Sequence, residues 1–142
     1  MMKAYLTRGY RFSSSHRLHN KSFGEEKNRE IYGKCNNPHG HGHNYALEVT
    51  VSGPVAVDTG MVCDLGDLDG CVAEQVLARF DHQNLNVRSE FADLVPTTEN
   101  LAVVVFDILR REFTAAHLEQ VRIEETANNS FTYAGGAEPI LQ

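Results

Sequence analysis

Residues 35–51 read CNNPHGHGHNYALEVTV, and this stretch decides how the chain folds. In its second half Tyr45, Leu47, Val49 and Val51 alternate with Ala46, Glu48 and Thr50. A period of two marks a half-buried strand, because successive side chains leave a strand on opposite faces. Carried back one turn of the pattern, the same parity puts His43 and His41 on the apolar face. Residues two apart on a strand have Cα atoms ~6.5–7 Å apart, so both imidazoles can reach one ion at ~2.0–2.1 Å. Gly40 and Gly42 bring no side chains to crowd it. His39 has the same parity, so spacing alone leaves open which imidazoles bind.

Working outward, residues 4–12 alternate as well, with Ala4, Leu6, Tyr10 and Phe12 on one parity. Extending that parity through Ser14 brings His16 onto the same face, where a neighbouring strand in register would offer it as a third ligand. Three neutral nitrogens with one position open describe a catalytic zinc site, whereas structural zinc sites are closed by four ligands. Cys35 then has two readings. A thiol beside a dication is acidified, and it serves either as a fourth, closing ligand or as a base or nucleophile facing the open position.

Between the two strands, Asn20–Lys34 is a charged loop with a short helix expected around Glu25–Ile31. The stretch from Gly53-Pro54 to Thr59-Gly60 ends the second strand. Asp64 is placed as the N-cap of a helix carrying Leu65, Leu68, Val72, Val76 and Phe80 at helical spacing. Asp81-His82-Gln83-Asn84 breaks it, and Thr97-Thr98-Glu99-Asn100 opens a second helix with Leu101, Val104, Val105 and Ile108 on its inner stripe. Residues 119–126 and 129–134 read as two more strands turning at Asn128-Asn129. The order ββααββ predicts an α+β fold, a four-stranded antiparallel sheet with two helices on one face. Its two open edges favour homo-oligomerisation.

Two further polar groups stand out. Asp81-His82 sets a carboxylate beside an imidazole whose basicity it would raise. Glu125 shares the face of Val121 and Ile123, where an acid is costly without a partner. His19 and His117 read as surface residues, and Cys63 and Cys71 as buried filler.

The 142 residues suit one domain, taken as 1–142. No apolar run approaches the ~18 residues that cross a bilayer, and the N-terminal stretch alternates instead of forming the apolar core of a secretory signal. Three cysteines without CxxC spacing argue against a disulfide framework, so a cytoplasmic protein with reduced thiols is expected. The net charge of −6 is uneven: residues 1–34 hold eight Lys/Arg against three Glu, +5, and the remainder is −11. Neither nucleic acid nor a membrane is the expected partner, although the basic quarter is a place for an anion.

The strings FSSSHRL, GKCNNPHGHGHNY, DHQNL, FADLVPTTENLAV and EETANN, spread over residues 12–129, resemble the 6-pyruvoyl-tetrahydropterin synthase family. The resemblance implies the tunnelling fold (T-fold), whose monomers assemble around a barrel, usually as a hexamer. It places the zinc ligands on His16, His41 and His43, the base on Cys35 and the acid–base pair on Asp81 and His82. It also places the pterin-anchoring carboxylate on Glu125, with Thr97 and Thr98 lining the pocket. Family sites lie between subunits, so Asp81 and His82 would serve a neighbour's Cys35. The implied reaction is conversion of 7,8-dihydroneopterin triphosphate to 6-pyruvoyltetrahydropterin by a zinc-dependent lyase.

HGHGH permits two registers. Pyruvoyl-forming members resemble C-x5-HGH, matched by Cys35, His41 and His43. Members making 6-carboxytetrahydropterin, in the queuosine and 7-deazaguanine route, resemble C-x3-HGH, matched by Cys35, His39 and His41. The first register is favoured because CNNP precedes and Asn44-Tyr45 follows. A third reading, a non-catalytic zinc-binding oligomeric module, predicts that Cys35 is itself a ligand.

Overall fold

A computed structural model describes residues 2–136. Two long strands, β1 (Lys3–His16) and β2 (His41–Pro54), pair antiparallel along their whole length, from Lys3 opposite Pro54 to His16 opposite His41. The alternation in both sequences makes this register the one that buries Phe12, Tyr45, Leu47, Val49 and Val51 on one side, since a slip of one residue would turn Leu47, Val49 and Val51 to solvent. β4 (His117–Thr126) adds to the other side of β2, and β5 (Asn129–Tyr133) closes the meander through the turn after Thr126.

The loop after β1 carries a short helix, α1 (Glu25–Tyr32), one residue longer than expected. Gly33 ends it with φ 55°, donating its N–H to the Arg29 carbonyl, a backbone conformation suited to glycine. A 3-10 turn, Gly33–Asn36, follows and delivers Cys35.

Helix α2 (Leu65–Val72) starts where Asp64 accepts from the Gly66 and Asp67 N–H groups at 2.6 and 3.2 Å. It runs through a π-helical turn, Ala73–Leu77, into α3 (Ala78–Phe80). Helix α4 (Thr98–Glu112) begins with the Thr97 hydroxyl accepting from Asn100 N–H at 3.1 Å. Both helical bodies lie on one face of the sheet, and Phe12, Tyr45, Leu47, Val49, Leu68, Val76, Leu101, Val105 and Ile123 make a continuous core between them. Val104 packs only partly against it; Ala102, Phe106 and Leu109 complete the inner stripe of α4. Asp69 ties α2 to β1 by accepting from Arg8 Nε and Nη2 at 3.0 and 2.9 Å and from the Tyr10 hydroxyl at 2.7 Å.

The sheet has five strands, not four, in the order β3-β1-β2-β4-β5. The extra strand, β3, is only Gln83–Asn84, pairing parallel with Ser14 and Ser15. Two residues carry no periodicity, so no sequence pattern announces them. β3 covers only the end of β1, leaving the backbone of the rest of β1 on one open edge and β5 on the other. Among the described residues no helix is long and apolar enough to cross a membrane.

Candidate metal centre and adjoining pocket

The β1–β2 register sets His16 opposite His41, Ser14 opposite His43 and Phe12 opposite Tyr45, all on the helix-covered face. The three imidazole centroids are 4.7, 5.0 and 4.8 Å apart, and one nitrogen from each lies within 4.8 Å of the other two. His16 is 1% exposed. Its Nδ1 lies 2.7 Å from the Pro96 carbonyl in the loop before α4. A carbonyl only accepts, so Nδ1 carries the hydrogen and the Nε2 lone pair faces inward, 3.1 Å from His41 Nε2.

These residues fit a metal. A tetrahedral ion at ~2.0–2.1 Å from each nitrogen holds neighbouring nitrogens roughly 3.3 Å apart. His43 Nε2 is buried with no hydrogen-bond partner, an orphan that an ion would satisfy. Burial is the main cause holding both His16 and His43 below the ordinary imidazole value, which favours the neutral, ligating form. Cys35 is not in the group, and neither is His39.

The approach to β2 is tight. Gly40 has φ 70°, and a Cβ there would sit 3.0 Å from the His16 carbonyl oxygen. Gly40→Ala is therefore expected to cost about 1–2 kcal/mol and to loosen metal binding, both by φ strain and by pushing β1 from β2. Thermal denaturation with and without added zinc checks this, against Gly24→Ala, where a Cβ meets nothing within 4 Å.

Beside the histidines a second polar cluster fills the same face. Glu125 stands where the β4–β5 register shifts between Glu124 and Thr126, a bulge that ends regular pairing. Its Oε1 is 3.9 Å from His43 Nε2, and its Oε2 accepts from the hydroxyl of Thr98, buried in the first turn of α4. So the acid does have partners. Thr97, the N-cap, fixes that turn. The Tyr45 hydroxyl is buried with no hydrogen-bond partner; burial and the Glu125 charge push its pKa up. Tyr45 shares the parity of His41 and His43, which was a sequence signal for placing it in this group. Nothing in the sequence pointed to the Pro96 carbonyl.

Cys35 is half-buried, its carbonyl accepting from Leu18 N–H at 2.8 Å. Cys63 and Cys71 pack against the core as filler but are only half-buried, which corrects the expected burial. Cys63 lies just before the Asp64 cap of α2 and Cys71 within that helix. His117 is on the surface as expected. His19 has a partner after all: the Asn36 amide donates to its Nδ1 at 2.9 Å, a contact set by the α1 loop folding back.

Asp81 and His82 form their pair, Nδ1 to Oδ1 at 3.0 Å. Asp81 also accepts from Ser13 N–H at 2.9 Å, the chief cause of its lowered pKa, followed in the same direction by His82. His82 is the only non-glycine residue among those described with positive φ, 59°, and its side chain is 83% exposed. It lines a cleft of about 410 Å³ with Ser13, Ser15 and Asn44, a lining that includes His43 but neither Glu125 nor Thr98. Cys35 is not among the residues lining that cleft.

A mainly antiparallel sheet backed by helices, with three converging imidazoles that could hold a metal ion beside an acid–hydroxyl pair, defines the class as an α+β protein with a candidate metal centre. The profile of the family described as 6-pyruvoyl tetrahydropterin synthase matches residues 5–136. The chain is 48% identical over 132 residues to a 6-pyruvoyl tetrahydrobiopterin synthase of Poecilia reticulata, covering 92% of this chain and 90% of that one. It is 44% identical over 134 residues to the Homo sapiens protein of the same name, covering 94% and 92%. The solved structure of Caenorhabditis elegans 6-pyruvoyl tetrahydropterin synthase superposes with a TM-score of 0.92 at 40% identity, covering 96% of this chain and 98% of that one. The chain belongs to the 6-pyruvoyl tetrahydropterin synthase family, and its monomer has the T-fold.

Proposed function

We infer that this protein is a lyase of one domain, residues 1–142, that converts 7,8-dihydroneopterin triphosphate to 6-pyruvoyltetrahydropterin with release of triphosphate. The observation that carries the reading is the trihistidine cluster with Glu125 and Thr98 against it on one sheet face. Near-full-length relatives named for this activity support it.

His16, His41 and His43 hold zinc, and bound zinc supplies Lewis-acid polarisation of the substrate's side-chain oxygens. Glu125 accepts from the guanidine-like edge of the pterin, with Thr97 and Thr98 shaping that end of the pocket. Cys35 takes a proton from a side-chain carbon, and His82, oriented by Asp81, moves a second. The carbon–oxygen bond to triphosphate breaks with its electron pair leaving on oxygen. The side chain is oxidised to the diketone as the ring is reduced, so no external redox cofactor enters. The exposure of His82 supports a site completed between subunits, with one subunit's Asp81–His82 serving the next subunit's Cys35. The open edges of β1 and β5 are suited to closing a barrel, read here as a homohexamer, and the setting as the cytoplasm.

The carboxy-product synthase is the second reading. The position of His39 outside the nitrogen cluster supports the C-x5-HGH register and so the pyruvoyl product. Incubating the zinc-loaded protein with 7,8-dihydroneopterin triphosphate and identifying the product by mass separates the two. A 6-carboxytetrahydropterin product would transfer the assignment, and an unchanged substrate would favour the non-catalytic module.

A further inference from the structure

We propose that the cavity bounded by Arg17, His19, Lys21 and His39 is the polyphosphate subsite, holding the substrate's triphosphate as it departs. The proposal deepens the proposed function and rests on it for the identity of the substrate. The cavity has a volume of about 250 Å³, and its wall includes His16, so it abuts the metal centre directly. It is lined by two permanent cations and three imidazoles and by no carboxylate, in a protein of net charge −6.

Six of the thirteen Lys and Arg residues are paired with an acid. Lys3, Arg8, Arg79, Arg88, Arg110 and Arg122 each lie within 4 Å of a carboxylate. Arg17 and Lys21 have no carboxylate at that distance among the described residues, although both face the same cavity. Arg17 is also positioned. Its backbone N–H donates to Asn86 Oδ1 at 2.7 Å and its carbonyl accepts from Asn86 Nδ2 at 2.8 Å. Its Nε donates to the Asn36 carbonyl at 3.1 Å, which leaves the terminal guanidinium nitrogens free to donate.

Asn36 Nδ2 donates both to the Leu18 carbonyl at 2.7 Å and to His19 Nδ1 at 2.9 Å. Neutral His19 therefore carries its hydrogen on Nε2, a further donor. The result is a set of donors held in place before any ligand arrives, next to the residue after Cys35. A phosphate ester bound through its side-chain oxygens at the histidines has its phosphates within reach of this wall. Donors aimed at the departing oxygen gain strength as the carbon–oxygen bond breaks and negative charge builds on it.

Binding of inorganic tripolyphosphate and of phosphate-free 7,8-dihydroneopterin to the zinc-loaded protein, by titration calorimetry with metal content verified afterwards, tests this. Arg17→Met is expected to raise the tripolyphosphate Kd ~10-fold or more, as loss of a charged hydrogen bond does, and to leave dihydroneopterin binding unchanged. Lys21→Met should weaken tripolyphosphate in the same direction. Its side chain makes no hydrogen bond or ion pair among the described residues, so this variant answers the objection that Arg17→Met merely displaces Asn36. Unchanged tripolyphosphate affinity in the folded double variant overturns the proposal. Loss of tripolyphosphate binding, in a protein whose wild type neither binds nor consumes the dihydropterin, upholds the anion subsite and removes the proposed function instead.

Discussion

Cys35→Ala is expected to keep its full complement of zinc and to lose turnover by a factor of ~10²–10⁴, the usual worth of a positioned acid–base group. The metal should stay because the nitrogens that converge are those of His16, His41 and His43, with no sulfur among them. Turnover should fall because Cys35 is the thiol carried by the turn that leads into β2, one residue before the Asn36 that braces Arg17 and His19. Metal analysis and a steady-state assay on the same preparation check both halves. Zinc lost with Cys35 would make it a ligand and favour the non-catalytic module. Zinc kept with turnover undiminished would remove Cys35 from the chemistry.

The second large effect is at the metal. His43→Ala should weaken zinc by more than ~100-fold, since loss of even an outer partner of a ligating histidine costs 10–100-fold. On the proposed reading zinc binds the folded chain, so added zinc should raise the wild-type Tm by mass action. The same addition should leave the Tm of His43→Ala unmoved. His39→Ala, outside the cluster, should respond to zinc as wild type does. If the two variants exchanged behaviour, the ligand register would be C-x3-HGH and the carboxy product would follow.

The strands were legible because each is long and alternates strictly: one parity fixes the buried face of β1 from Ala4 to His16, and the other that of β2 from His41 to Val51. The same parity carried the trihistidine site, since ligands on paired strands need only share a face and a register. The helix starts were legible through Asp64 and Thr97, whose side chains cap as their positions suggest. What stayed hidden depends on contacts distant in sequence. β3 arises because His82 adopts positive φ and donates its N–H to the Ser13 carbonyl at 2.6 Å, drawing two residues alongside β1. The orientation of His16 comes from a carbonyl eighty residues away at Pro96. The basic quarter was visible as a charge count, but which cations stand unpaired was not, because pairing depends on where Asp69, Glu119, Glu90 and Glu48 fold back.

The proposed reaction rests on three imidazoles sharing one cation and leaving it a place for substrate oxygen. X-ray absorption at the zinc edge of the loaded protein measures that arrangement directly. The expected spectrum has three imidazole nitrogens at ~2.0–2.1 Å and one further oxygen from solvent or pterin, with no sulfur. A zinc–sulfur distance near ~2.3 Å, or a fourth imidazole, would mean a closed structural site and would contradict the account.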